Sequence, residues 1–145
     1  MGYRRMSEDD VRDFITGAPA RPAILGTTRG DGRPHVAPVW YVVDDDGVVV
    51  FTTGEDTVKG GNLRRAGWAS LCVDDDAAPF SFVVLEGPVA ISDDTSETRT
   101  WATRIARRYM GDDRADEYGA RNGVPGELLV RLTPIKVVSA ADVAD

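Results

Sequence analysis

The sequence predicts a mainly β fold with flanking helices, and three observations point there. Apolar runs of strand length recur along most of the chain, divided by Gly- and Asp-rich turns. Proline stands inside three of these runs, as it does in strands that bulge or bend. Helical periodicity is confined to a short N-terminal segment, a basic turn near Lys59 and the region after Ser96. Short strands with tight turns and interior bulges are how a small sheet curls and closes. The expectation is one domain over residues 1–145, an antiparallel barrel of six strands with helices at its rim. A barrel this small is filled by its own side chains, so a ligand must bind outside it or at a subunit boundary.

The elements follow in order. Ser7-Glu8-Asp9-Asp10 has the form of a capping box. Val11, Phe14 and Ile15 then recur at helical spacing until Gly17 and Pro19 stop the helix. Ala23 to Thr28 is the first strand. The turn Arg29-Gly30-Asp31-Gly32 leads to a second extended run, Arg33 to Val43. Pro34 and Pro38 inside that run make it an edge, a bulge, or a strand with one side facing something else. After the turn Asp44 to Gly47, the apolar run Val48 to Phe51 becomes small and polar at Thr52, Thr53 and Gly54. A basic helical turn with Lys59, Arg64 and Arg65 follows, then the strand Ala69 to Val73. Phe80 to Ile91 is a long strand with a kink at Gly87-Pro88. From Ser96 a helix carries Trp101, Ile105 and Tyr109 on its apolar stripe, with Arg107 and Arg108 on a solvated face. A weaker helical piece spans Arg114 to Ala120. Glu127 to Ser139 is the last strand, with Pro134 near its middle.

Composition narrows the function. The net charge of −7 argues against a general nucleic-acid binder, which needs a basic face to displace phosphate counterions. An acidic protein with a local basic pocket suits a small anionic ligand better. No run approaches membrane-spanning length, and no signal peptide is visible, so a cytoplasmic address is expected. The single cysteine, Cys72, lies in an apolar strand and serves as a small hydrophobe. With one histidine, His35, neither a His-dependent metal cluster nor a serine triad is expected, and His35 is taken as a structural residue. The acidic runs Asp44–Asp46 and Asp74–Asp76 sit in turns without calcium-loop spacing.

The stretch from Val48 to Asp74 holds the strongest functional signal. Strand-end hydroxyls, a helix N-terminus and a lysine together form a site for phosphate or carboxylate. Phe51-Thr52-Thr53-Gly54-Glu55-Asp56-Thr57-Val58-Lys59-Gly60, followed by Leu63 and Arg64, resembles the cofactor segment of the pyridoxamine-phosphate-oxidase-like split barrels. Asp31 to Trp40 is similar to that family's paired strand. Leu85-Glu86-Gly87-Pro88-Val89 is similar to its E-G-x-[AV] strand, and Leu128 to Val138 to its last strand. The resemblance implies a six-stranded antiparallel split β-barrel, homodimeric, with two flavin-type cofactors bound between the subunits.

Flavin mononucleotide members usually carry a Ser-Arg-Lys triplet that grips phosphate. Thr57, Val58 and Lys59 stand there in this chain, so the arginine is missing. Together with Lys-x-x-Asn-Leu-Arg, this is more similar to the actinobacterial branch that uses coenzyme F420, a deazaflavin with a phosphate and a glutamate tail. The resemblance then implies Thr52 and Thr53 near the ribityl chain or ring edge, and Thr57 and Lys59 on phosphate. Asn62 and Arg64 would lie near the phosphate or tail, and Pro38, Val39 and Trp40 would line the ring. Phe80 and Ser81 would close the site from the other subunit. The activity implied is oxidoreduction, with hydride passing from reduced F420 to an electron-poor small molecule. The placed catalytic chemistry belongs to the cofactor, and no catalytic side chain is assigned. Two alternatives stand beside it: a flavin mononucleotide oxidoreductase on the same fold, and a non-catalytic carrier or sensor of F420 or haem. The C-terminal tryptophan and arginine that select pyridoxamine phosphate in larger family members have no counterpart after Val138.

Overall fold

The computed structural model describes residues 3–145, so Met1 and Gly2 of the expected domain lie outside the described residues. Helix α1 (Glu8–Thr16) starts at the expected capping box. Ser7 Oγ accepts from the Asp10 N–H at 3.1 Å, and the Asp10 carboxylate accepts from the Ser7 N–H at 3.3 Å. Strands β1 (Ala23–Thr28) and β2 (Pro34–Val39) form the first hairpin. Strands β3 (Val42–Val43) and β4 (Val49–Gly54) precede helix α2 (Val58–Ala66). Strands β5 (Trp68–Asp75) and β6 (Ser81–Ser92) form a second long hairpin. Helices α3 (Thr95–Met110) and α4 (Asp112–Asn122) pack on each other before β7 (Glu127–Leu132) and β8 (Lys136–Ala140) close the chain.

Every strand pairing is antiparallel. The lateral order is β2-β1-β5-β6-β7-β4-β3, with β8 on β6 as well. The two ends of that order, β2 and β3, are separated in the chain by only Trp40 and Tyr41, so the sheet is curled round on itself. Its interior is packed by Leu25, Tyr41, Phe51, Leu71, Leu85 and Leu128, all essentially without solvent exposure. Each such side chain contributes about 1.5–3 kcal/mol of burial. These side chains fill the interior of the curled sheet. Helix α3 covers the outer face of β4 and β7 with Ala102, Ile105 and Ala106.

Eight strands stand where six were expected, because two of the expected runs are broken. The first break is at Trp40–Tyr41. The Tyr41 N–H donates to Tyr109 Oη at 3.4 Å, and the Tyr41 carbonyl accepts from Arg108 Nη1 at 2.8 Å. Side chains of α3 replace a neighbouring strand there. The second break is at Thr133–Ile135, where Pro134 has no N–H to give. The Thr133 N–H reaches the Pro88 carbonyl at 3.0 Å, and the Ile135 N–H reaches the Glu86 carbonyl at 2.9 Å. Leu132 faces Val89 and Lys136 faces Glu86, so four steps on one strand match three on the other. This is a bulge. Gly87 lies opposite it, and a Cβ there would collide with the Thr133 carbonyl oxygen. Strand β6 itself runs unbroken through Gly87 and Pro88.

Arg108 departs from the solvated helix face expected for it. Its Nη2 donates to the Ile15 carbonyl at 2.9 Å, and its guanidinium lies over the Tyr41 and Tyr109 rings at 4.6 and 5.2 Å. Tyr41 Oη also donates to the Ile15 carbonyl, at 2.6 Å. One arginine therefore ties the C-terminal end of α1 and the β2–β3 break to α3. Arg107 is on the solvent side, paired with Asp112 at 3.2 Å.

Candidate functional site

A cavity of about 370 Å³ opens on the outside of the barrel where β2, β4, β7, α2 and α3 meet. Its polar end is formed by the end of β4 and the first turn of α2. Thr57 caps α2: its Oγ1 accepts from the Gly60 N–H at 3.0 Å and donates to the Gly54 carbonyl at 2.7 Å. Thr53 Oγ1 lies 3.3 Å from Thr57 Oγ1. The strand end and helix start press so closely that a Cβ on Gly60 would overlap the Gly54 carbonyl oxygen. Lys59 stands on this first turn and lines the cavity with Thr52, Thr53 and Gly54. It forms no ion pair among the described residues. The first-turn amides of an α-helix have no intrahelical acceptor, which adds to the positive potential here.

The other end is apolar. Pro38, Val39 and Trp40 lead from β2 into the β2–β3 break, and Pro22 and Ile105 face them. Trp40 is 38% exposed and lies flat on Tyr109, with ring centroids 4.9 Å apart and planes within 2°. Tyr109 Oη is anchored by donating to the Arg21 carbonyl at 2.8 Å, and burial pushes its hydroxyl pKa up to about 12. Tyr118 of α4 leans on Trp40 at 6.4 Å. The tryptophan is thus held rigidly, with its position set by α3 and α4. Such a wall, with convergent polar groups at one end, is the usual form of a small-molecule site.

Six of the expected contact residues, Pro38, Val39, Trp40, Thr52, Thr53 and Lys59, line this one cavity. The other five do not. Thr57 lies just behind it, its hydroxyl engaged in the helix cap. Asn62 is turned inward and spent: its Nδ2 donates to Thr27 Oγ1 at 3.1 Å, and its Oδ1 accepts from Arg65 Nη2 at 3.0 Å. In the structure it is a strut between α2 and β1, where the resemblance implies a place near phosphate or tail. Arg64 faces the opposite side of α2, where it pairs with Glu55 at 3.7 Å and lines a separate surface hollow with Val89 and Asp93. Phe80 and Ser81 sit at the far end of β6, where Ser81 Oγ accepts from the Asp142 N–H at 3.2 Å. His35 does not line the cavity, and its buried Nδ1 has no hydrogen-bond partner among the described residues.

The cavity also holds two residues for which no role was expected: Asn122 at the end of α4, and Glu127 at the start of β7. Glu127 faces Gly54 across the β4–β7 pair, two pairs beyond Thr52 and Leu129 and on the same face of the sheet. Burial raises its carboxyl pKa, against the opposing pull of a hydrogen bond from Thr52 and the charge of Lys59. Its only sequence signal was a carboxylate opening an apolar strand; its neighbour Lys59 is set by strand pairing, which spacing does not reveal.

Among the described residues no group of His, Cys, Asp or Glu could hold a metal ion, and no helix is long and apolar enough to cross a membrane.

Residues 7–139 match a family model described as pyridoxamine 5'-phosphate oxidase. The chain is 30% identical over 139 residues to an F420H(2)-dependent biliverdin reductase of Mycobacterium tuberculosis, covering 94% of this chain and 90% of that protein. Among solved structures, it is similar to a conserved hypothetical protein of Mycobacterium tuberculosis at 25% identity and a TM-score of 0.80, over 98% of this chain and 91% of that one. It shares its fold with an F420 reductase at 23% identity and a TM-score of 0.63, over 81% and 88% of the two chains.

Proposed function

Given that the chain belongs to the pyridoxamine 5'-phosphate oxidase family, we propose that it is a coenzyme F420-dependent oxidoreductase acting on an electron-poor small molecule. The observation that carries this is Lys59: a cation without an ion pair among the described residues, beside two threonine hydroxyls, at one end of a cavity whose other end is apolar and rigid. That donor set fits an anionic handle attached to a flat ring. The similarity to a reductase that uses F420H(2) favours the deazaflavin. So does Val58, which stands 52% exposed at the position of the missing arginine.

When bound, the reduced deazaflavin supplies a hydride. Lys59 Nζ would hold the phosphate, with Thr52 and Thr53 bonding the polyol next to it. Pro38, Val39 and Trp40 would flank the ring and keep water from it, so that the acceptor meets the cofactor in a fixed orientation. Tyr109 and Arg108 act indirectly, by fixing Trp40 and Tyr41.

The working unit in this reading is a homodimer. Along the outer face of the sheet, Pro38, Ile24, Cys72, Val84 and Val138 stand side by side across five strands. Ile24 is 43% exposed and Val138 46%. Pro38 belongs both to this apolar row and to the cavity, so a second copy seated on the row would wall the cavity. The partner's Phe80 and Ser81 would be the segment to reach it.

Titration of the purified protein with F420 and, separately, with flavin mononucleotide tests the cofactor. Saturable F420 binding with oxidation of F420H(2) by an acceptor supports the proposal. Tight flavin mononucleotide binding without F420 binding would replace the cofactor. F420 binding without turnover across an acceptor panel would make the protein a carrier.

A further inference from the structure

A carboxylate in a site built for an anion needs a reason, and Glu127 is one. It lines the same cavity as Lys59, Thr52 and Thr53, on the outer face of β7 next to the end of β4. It is half-buried, and it is not within ion-pair distance of any cation among the described residues. Lys59 is the cation that shares the cavity with it from α2, and Thr52 lines the same cavity from β4. The next charged group is Glu55, whose backbone N–H donates to the Gly126 carbonyl at 2.8 Å and whose carboxylate is neutralised by Arg64 at 3.7 Å. From α4 the cavity receives Asn122, which is uncharged.

We infer that Glu127 takes up one proton as the cofactor's anionic group seats on Lys59, so that cofactor binding is coupled to pH through this side chain. The inference rests on the reading of Lys59 as the anion anchor. Before binding, Lys59 is the nearest charge that favours the Glu127 carboxylate. An arriving phosphate cancels that help and adds a like charge in a partly desolvated pocket, and both changes favour the neutral acid. The uncharged carboxyl then becomes a donor toward an anion oxygen or a polyol hydroxyl, which the carboxylate cannot be. The proton comes from solvent, and no bond other than that O–H is formed. The raised carboxyl pKa already present without ligand fits a group poised for this step.

The sign follows from linkage. Glu127 holds its proton to higher pH in the complex than in the free protein, so affinity falls as pH rises between those two pKa values, by at most roughly tenfold per pH unit for one proton. A carboxylate at this position also selects against ligands whose anion is too bulky or too charged to tolerate it, which makes Glu127 a specificity residue for the handle.

The test is calorimetric titration of the full-length protein with F420 in two buffers of different ionisation enthalpy, at about three pH values between pH 5 and 8. The parent should take up a fraction of a proton that approaches one near the middle of its window. Glu127→Gln, neutral throughout, should bind with no proton uptake from this group and with a flatter pH profile. Parent binding with no proton uptake overturns the inference while leaving the cofactor assignment intact. So does uptake that persists unchanged in Glu127→Gln, which would place the proton elsewhere. Failure of the parent to bind either F420 or flavin mononucleotide overturns the cofactor reading, and the inference with it.

Discussion

Two adjacent arginines on α3 should behave very differently when removed. Arg108→Ala takes away the donors to the Tyr41 and Ile15 carbonyls, at 2.8 and 2.9 Å, and the cation above the Tyr41 and Tyr109 rings. A hydrogen bond from a charged group contributes about 1.5–3 kcal/mol, and a cation over an aromatic ring about 0.5–1 kcal/mol where exposed. Arg108 is half-buried, so water recovers part of the loss. A destabilisation of about 2–4 kcal/mol remains, within the range for breaking a buried network. Arg107→Ala removes only an exposed pair with Asp112 and should change stability by about 0.5 kcal/mol or less. Urea unfolding of the two variants and the parent, followed by tryptophan fluorescence, gives the comparison. Arg108→Lys should recover little, because one ammonium cannot fork between two carbonyls. If Arg108→Ala and Arg107→Ala unfold at the same midpoint as the parent, Arg108 does not pin the β2–β3 break, and the account of how Trp40 is held is wrong.

The glycines of α2 make a second contrast. Gly60→Ala meets the Gly54 carbonyl and should cost about 1–3 kcal/mol, whereas Gly61→Ala meets nothing within 4 Å and should gain about 0.5–1 kcal/mol from helix propensity; thermal melts check both. Glu127→Gln should stabilise the ligand-free protein at neutral pH and not at acidic pH. The folded-state pKa of Glu127 is raised, so the parent loses stability as pH rises from the ordinary carboxylate value through the raised one, and the neutral variant does not. Melting temperatures across pH read this directly, and equal pH profiles would contradict it. Val84→Asp puts a charge in the centre of the apolar row and should shift sedimentation from dimer to monomer while leaving the far-ultraviolet dichroism unchanged. Sedimentation of the parent as a monomer would remove the proposed cleft between copies.

The fold was legible where chemistry is local. The capping box at Ser7, the turns at Arg29–Gly32 and Asp44–Gly47, and the helical turn carrying Lys59 all follow from residue types a few positions apart. The breaks at Trp40–Tyr41 and Thr133–Ile135 were not fully legible. Pro134 signalled the second, but the first depends on Arg108 and Tyr109, 67 and 68 residues away. The site divides the same way. Lys59, Thr52 and Thr53 were visible as a strand end meeting a helix start. Asn62 and Arg64 share that segment, but helix geometry turns them to other faces, Asn62 inward onto Thr27 and Arg64 toward Glu55. Glu127 and Asn122 reach the cavity through strand pairing and the α3–α4 packing, which no spacing along the chain encodes.

The central claim is that Lys59 anchors the anion of a deazaflavin in the cavity beside Trp40. Equilibrium binding of F420 to the parent and to Lys59→Ala, with Asp45→Ala as the control on a remote turn, tests it most directly. The account predicts saturable binding to the parent and to Asp45→Ala, and a loss of about 1.5–3 kcal/mol, more than roughly tenfold in Kd, for Lys59→Ala. Equal F420 affinity in the parent and Lys59→Ala would contradict it.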